Sequence, residues 1–196
     1  TTDFGTSLMD DKLAFGIGNP DITIESNTSV NDGDWRHVAV TWDQSSGTMK
    51  LYINGDLEQT GSGTSTTPRT PPQIKIGVIQ TIEFPSLFFA GSIDNLSIWS
   101  RVRSSSEIQA TMNYELRGNE TDLLAYYDFN DGTPEGNNTT VTTLDDKVGI
   151  NDGTLTFPGG LTDGNTTSNF TCMNPGNKGM VNQNTASKLA SGDYRV

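Results

Sequence analysis

NDGDWRHVAVTWDQSSGTMKLYINGDL, Asn31 to Leu57, carries the pattern that decides the fold. Val38, Val40 and Trp42 alternate with His37, Ala39 and Thr41. After a polar DQSSG turn, Met49, Leu51 and Ile53 alternate with Lys50, Tyr52 and Asn54. A period of two puts one face of an antiparallel pair on a core and leaves the other toward solvent or a second layer. The next turn, Asn54-Gly55, tolerates positive φ, so a third strand from Leu57 to Thr60 folds straight back. The product is a β-meander on which the rest of the chain packs. Val38, Val40, Trp42, Leu51 and, from a later strand, Ile98 are expected between two stacked sheets.

The chain outside this stretch suits an all-β domain. It has 196 residues, 32% of them apolar, which is lean but enough for one sandwich core. A net charge of −12 argues against nucleic acid or an anionic membrane surface as partner, since both would repel it. No apolar run approaches the length of a spanning helix, so no membrane insertion is expected. The opening Thr1-Thr2 lacks a charged-then-apolar leader and reads as a fragment or a processed chain.

Before the meander, Leu13–Ile17 and Ile22–Glu25 read as strands around a Gly-Asn-Pro-Asp corner. After it, a Gly, Ser, Thr and Pro-rich loop leads to a strand over Ile74–Val78 and the apolar patch Phe84–Ala90. Gly91–Ser100 reads as a strand with apolar groups on both faces, hence buried within two layers. Ser104 and Glu107 form a capping box, and Ile108, Met112 and Leu116 follow on one helical face. Leu123–Phe129 is a strongly aromatic strand, with weak strands around Thr139–Leu144 and Thr154–Phe157. Composition sets soft boundaries: a sandwich over 1–131, a β-rich extension over 132–171 packing on it, and a tail over 172–196.

Four blocks in order carry a resemblance: WRHVAVTWD (Trp35–Asp43), SGTMKLYING (Ser46–Gly55), FAGSIDNLSIWSR (Phe89–Arg101) and SEI (Ser106–Ile108). Together they resemble the laminin-G-like and pentraxin-like branch of the concanavalin A-like sandwiches, over roughly Leu13 to Phe129. LLAYYDFN (Leu123–Asn130), GNNTTVTTL (Gly136–Leu144) and NDGTL (Asn151–Leu155) resemble an extension of bacterial cell-surface modules of that type. The resemblance implies an antiparallel β-sandwich of jelly-roll form with one short helix after the Gly91–Trp99 strand. The opening strands usual in that family are absent here, so a neighbouring chain or the segment after Asp131 is expected to fill their place.

Glycoside hydrolases on the same fold resemble one another in an E-x-D-x-x-E strand motif, which this chain lacks. Asp94 stands alone in its strand, and His37, the only histidine, has no nucleophile placed near it by sequence. No catalytic residue is therefore assigned. Calcium is the sharper expectation, because sandwich rim loops supply carboxylate, amide and carbonyl oxygens. The candidate ligands are Asp32 and Asp34 before the meander and Asp128, Asn130 and Asp131 after the aromatic strand, with Asp21, Asp145 and Asp146 as further acids. Trp35 and Tyr126 are candidate ligand contacts, since sugar rings stack on flat apolar faces. Asn27, Asn119, Asn138, Asn165 and Asn169 begin Asn-x-Ser/Thr acceptors for glycosylation. Cys172 is alone, an unreactive loop thiol or one that pairs with another chain. The expected function is a non-catalytic recognition or adhesion module, extracellular or at the cell surface, contacting glycans or extracellular protein domains through rim loops. A structural subunit of a fibre or sheath, built with other copies of itself, and an accessory domain of a secreted hydrolase are the alternatives.

Overall fold

The computed structural model describes residues 4–18, 21–64, 74–79, 87–134 and 137–155. They fall into two compact units. One takes the residues through Ser92 together with Val102–Met112; the other takes Ile93–Arg101 and the described residues from Asn113 onward.

The first unit is built on two antiparallel sheets. One has the order β1 (Phe4–Met9), β2 (Lys12–Ile17), β3 (Ile22–Ser29); the other has β4 (Val38–Asp43), β5 (Thr48–Ile53), β6 (Asp56–Ser62). Alternate residues of the two central strands meet: Leu13, Phe15 and Ile17 of β2 with Met49, Leu51 and Ile53 of β5, all nearly inaccessible to solvent. Each such side chain contributes roughly 1.5–3 kcal/mol by leaving water, so this cluster holds the sheets together. Val40 and Trp42 pack partly against it, and the Trp42 indole N–H donates to the Gly63 carbonyl at 3.1 Å. The β5–β6 turn has Asn54 at φ 52° and Gly55 at φ 81°, the paired left-handed conformation of a tight hairpin. β7 (Val78–Ile79) and β8 (Leu87–Phe88) form a short ladder.

A helix, α1 (Ser105–Thr111), closes this unit over the β5–β6 turn. Ser104 and Glu107 make the reciprocal capping box, and Ile108 is buried. The Gly55 carbonyl accepts from Ser105 Oγ at 2.9 Å and Gln109 Nε2 at 3.2 Å, tying helix to hairpin.

The second unit pairs β9 (Leu96–Trp99) with β10 (Leu123–Tyr127) in antiparallel register, with a bulge between Leu123 and Ala125. A two-residue ladder joins β11 (Thr143–Leu144) to β12 (Gly153–Thr154). Its interior is Leu123, Ala125, Tyr126, Tyr127 and Leu144, with Asn138 and Asp146 as buried polar groups. The protein is thus mostly antiparallel strand with one short helix among the described residues, the all-β class read from the sequence.

Several expectations differ from the structure. Val38 is 43% exposed: it opens β4, beyond the reach of the core that covers Val40 and Trp42. Ile98 is only half-buried, as is all of β9, and that strand starts at Leu96 because Asn95 has φ 54°. The strand expected over Ile74–Val78 shrinks to Val78–Ile79, since Gly77 turns the chain at φ 73°. α1 stops at Thr111, so Leu116 is not on it. β1 was not expected; its hairpin turns on Asp10 and Asp11, both at positive φ, where no glycine marks the turn.

Candidate functional site

In the second unit one buried carboxylate shapes the loop that follows β11. Asp146 accepts from the backbone N–H of Tyr126 at 2.9 Å, Val148 at 3.0 Å and Asn151 at 3.1 Å, and its own N–H donates to Asp152 Oδ1. Burial alone would raise its pKa, but these donors, Tyr126 foremost, hold the carboxyl below its ordinary range. The loop is clamped to β10 twice more, by Lys147 N–H donating to the Tyr126 carbonyl and by the Tyr127 phenol donating to the Asn151 carbonyl.

With Asp146 facing inward, its neighbours Asp145 and Lys147 reach the stretch after β10. Lys147 Nζ lies 3.4 Å from Asp128 Oδ1, 3.7 Å from Asp131 Oδ1 and 3.9 Å from Asp145 Oδ2. Burial pulls the ammonium pKa down; the carboxylates, led by Asp128, more than reverse this, and it stands above its ordinary value. Burial raises the Asp131 carboxyl. Asp131, Asp145 and Lys147 line an open polar groove with Asn130, Thr140, Val141, Thr142 and Thr143. Amides, hydroxyls, carboxylates and an ammonium presented together can donate to and accept from a polyhydroxylated ligand. A second open polar groove, in the first unit, is lined by Lys12, Thr23, Glu25, Ser26, Asn27, Gln59 and Thr60.

The expected acids before the meander are also paired. Asp32 accepts from Arg36, which also lies 3.9 Å from Asp34, and the Asp34 N–H donates to Asp32 Oδ1. The Arg36 bond is the main reason the Asp32 carboxyl sits below its ordinary range. At both expected calcium clusters, therefore, a basic side chain stands among the acids. Among the described residues no three His, Cys, Asp or Glu side chains are grouped to hold a metal ion. The donor sets as they stand do not fit calcium.

The two expected aromatic contacts differ. Tyr126 is 1% exposed, and its phenol donates to Asn95 Oδ1, so it is a core residue and the expectation of a ligand contact is corrected. Trp35 is half-buried, with its indole N–H enclosed and without a hydrogen-bond partner. The ring the sequence did not single out is Tyr114, 70% exposed just past the helix. Of the glycan acceptors, Asn27 and Asn119 are exposed. Asn138 is 1% exposed, with its amide spanning the N–H and carbonyl of Thr133; a sugar there would displace that pair. Asn165, Asn169 and Cys172 lie outside the described residues.

Two half-buried titratable groups lie outside the groove linings. Asp94 is pushed up to about 6, chiefly by burial, with Glu115 and Asp128 adding repulsion. Burial also draws the His37 imidazole below its ordinary value, and Arg103 adds to this.

The match to a known family ends before the groove beside Lys147 begins. Residues 3–109 match the profile described as the concanavalin A-like lectin/glucanases superfamily, of the laminin-G type. A rat protein named for its Sushi, von Willebrand factor type A, EGF and pentraxin domains is 35% identical over 114 residues, which cover 53% of this chain and 3% of that protein. Mouse pentraxin-related protein PTX3 is 32% identical over 123 residues, 57% of this chain and 32% of that one. The matched segments are thus minor parts of these longer relatives. A solved structure from Bacteroides ovatus, named for carbohydrate binding, superposes with a TM-score of 0.60 at 22% identity, covering 74% of this chain and 40% of the other. That likeness concerns the fold.

Proposed function

The chain belongs to the concanavalin A-like lectin/glucanases superfamily, and from that premise we propose that it is an extracellular, non-catalytic binding module that captures glycans through the groove beside Lys147. The observation that carries this reading is the groove's lining: Asn130, Thr140, Thr142, Thr143 and Asp145 offer hydrogen-bonding groups on an open surface, and Lys147 fixes the acids among them. Sugar hydroxyls need donors and acceptors of this kind, and they exchange water bonds for protein bonds at modest net cost. The name of the Bacteroides ovatus neighbour agrees with it. Asp94 is not proposed as a catalytic acid, because neither it nor the carboxylates that act on it, Glu115 and Asp128, line either groove among the described residues.

A glycan array tests the proposal. The wild-type chain is expected to retain a subset of glycans, Thr142→Val and Asp145→Asn to lose at least tenfold in affinity, and Thr60→Val in the other groove to bind unchanged. Retention that is lost with Thr60→Val and kept in the first two variants would move the site to the other unit.

A second reading, a subunit assembling with copies of itself, is favoured by β4. Among the described residues that strand pairs with β5 alone, and Val38 at its start is exposed. Sedimentation that gives a monomer at all concentrations would remove it.

A further inference from the structure

The groove beside Lys147 has a sign as well as a shape. Among the described residues that line it Lys147 is the one cation, and a lysine in a sugar groove ordinarily invites a uronate or a sulfate. Here its charge is already taken. Nζ lies 3.4 Å from Asp128 Oδ1, 3.7 Å from Asp131 Oδ1 and 3.9 Å from Asp145 Oδ2. Three carboxylates against one ammonium leave the cluster negative. The Asp128 and Asp131 side chains are 17% and 8% exposed, so water screens them little. The rest of the lining is uncharged, and its Asn130, Thr140, Thr142 and Thr143 are exposed. An amide and hydroxyls both donate and accept, which matches sugar hydroxyls; an anionic group only accepts, and would meet the carboxylates that surround the lysine. The net charge of −12 on the whole chain acts in the same direction at longer range.

We infer that this groove selects uncharged glycans over anionic ones, with Lys147 a positioning residue for the acids instead of an anchor for a sugar anion, and Asp128 a determinant of that selection from outside the lining. The lysine side chain can be changed without releasing the loop, because the backbone N–H of Lys147 is bonded to the Tyr126 carbonyl and Asp146 clamps the following residues. The inference rests on the glycan reading above and adds to it the class of sugar taken.

The test compares pairs of oligosaccharides that differ in one group, a neutral sugar against its uronate and a neutral sugar against its sulfate ester. The whole chain is used, in chelator, so that no free cation bridges sugar and carboxylate. Wild type is expected to hold the neutral member roughly tenfold more tightly at low salt, and added salt should narrow that gap by screening the repulsion. Asp128→Asn should narrow it severalfold and Lys147→Gln should widen it, each read as the ratio within a pair, which a partial loss of folded protein does not move. Asp21→Asn changes the net charge as Asp128→Asn does, but at an exposed acid of the first unit, and should leave the gap as in wild type. An anionic member held as tightly as its neutral partner, or more tightly with an affinity that falls as salt rises, would overturn the inference and leave the glycan reading standing. A gap that neither Asp128→Asn nor Lys147→Gln moves would overturn its assignment to this cluster. Retention of no member of any pair would end the glycan reading and the inference with it.

Discussion

Asp94 and His37 are half-buried, in different units, and respond to pH in opposite senses. The folded Asp94 carboxyl, at about 6 against an ordinary 3.8, holds its proton more tightly than the unfolded chain does. Its contribution to stability is full below pH of about 4 and is lost as pH rises through about 6. The His37 pKa is lowered from 6.5, so its contribution is full above pH of about 6.5 and is lost as pH falls through the folded value. Asp94→Asn keeps an oxygen for the Asn95 amide but removes the charge. Its Tm should match wild type near pH 4 and exceed it at pH 7.5. His37→Gln should flatten the fall between pH 6.5 and 5. Calorimetry across that range checks both; mutant curves parallel to wild type would show that neither group is the source of the slope.

At the scale of elements, the β5–β6 turn and α1 form one device. A Cβ on Gly55 would lie 2.6 Å from Gln109 Cγ and 3.0 Å from Met112 Sδ, on a backbone at φ 81°. Gly55→Ala should therefore cost at least about 1 kcal/mol, with amide exchange faster in both hairpin and helix. Exchange confined to the hairpin would contradict the coupling. These were the elements most readable in the sequence: Asn54-Gly55 and the Ser104–Glu107 box act within four residues, and local chemistry specifies them. The alternation of β5 was also plain, because its core face is apolar throughout. Val38 shows the limit, since alternation fixes the face of a side chain but not how far along the strand the opposing sheet extends. β1 was missed because Asp10 and Asp11 adopt positive φ without the glycine that usually marks such a turn.

For the whole molecule, the candidate site was half legible. Asp128, Asn130 and Asp131 stood out as a rim cluster, but spacing says nothing of a cation from nearly twenty residues on. Lys147 reaches them only because Asp146 is turned inward by the N–H groups it accepts, and no short motif announces that turn. Tyr126 failed as a contact for a related reason: its strand pattern leaves open which face the neighbouring loop will cover. Asp146→Ala would leave several enclosed N–H groups unmet, at about 1–3 kcal/mol each, and should unfold the groove before the core of β2 and β5. Hydrogen exchange resolved by segment reads that order, and simultaneous loss in both units would contradict it. The central claim, that this fold captures a glycan and leaves it intact, is tested most directly by incubating the wild-type chain with an array-selected polysaccharide in chelator, measuring retained glycan and released reducing ends together. Retention without release is the predicted result; reducing ends that appear with wild type and vanish with Asp94→Asn would contradict it.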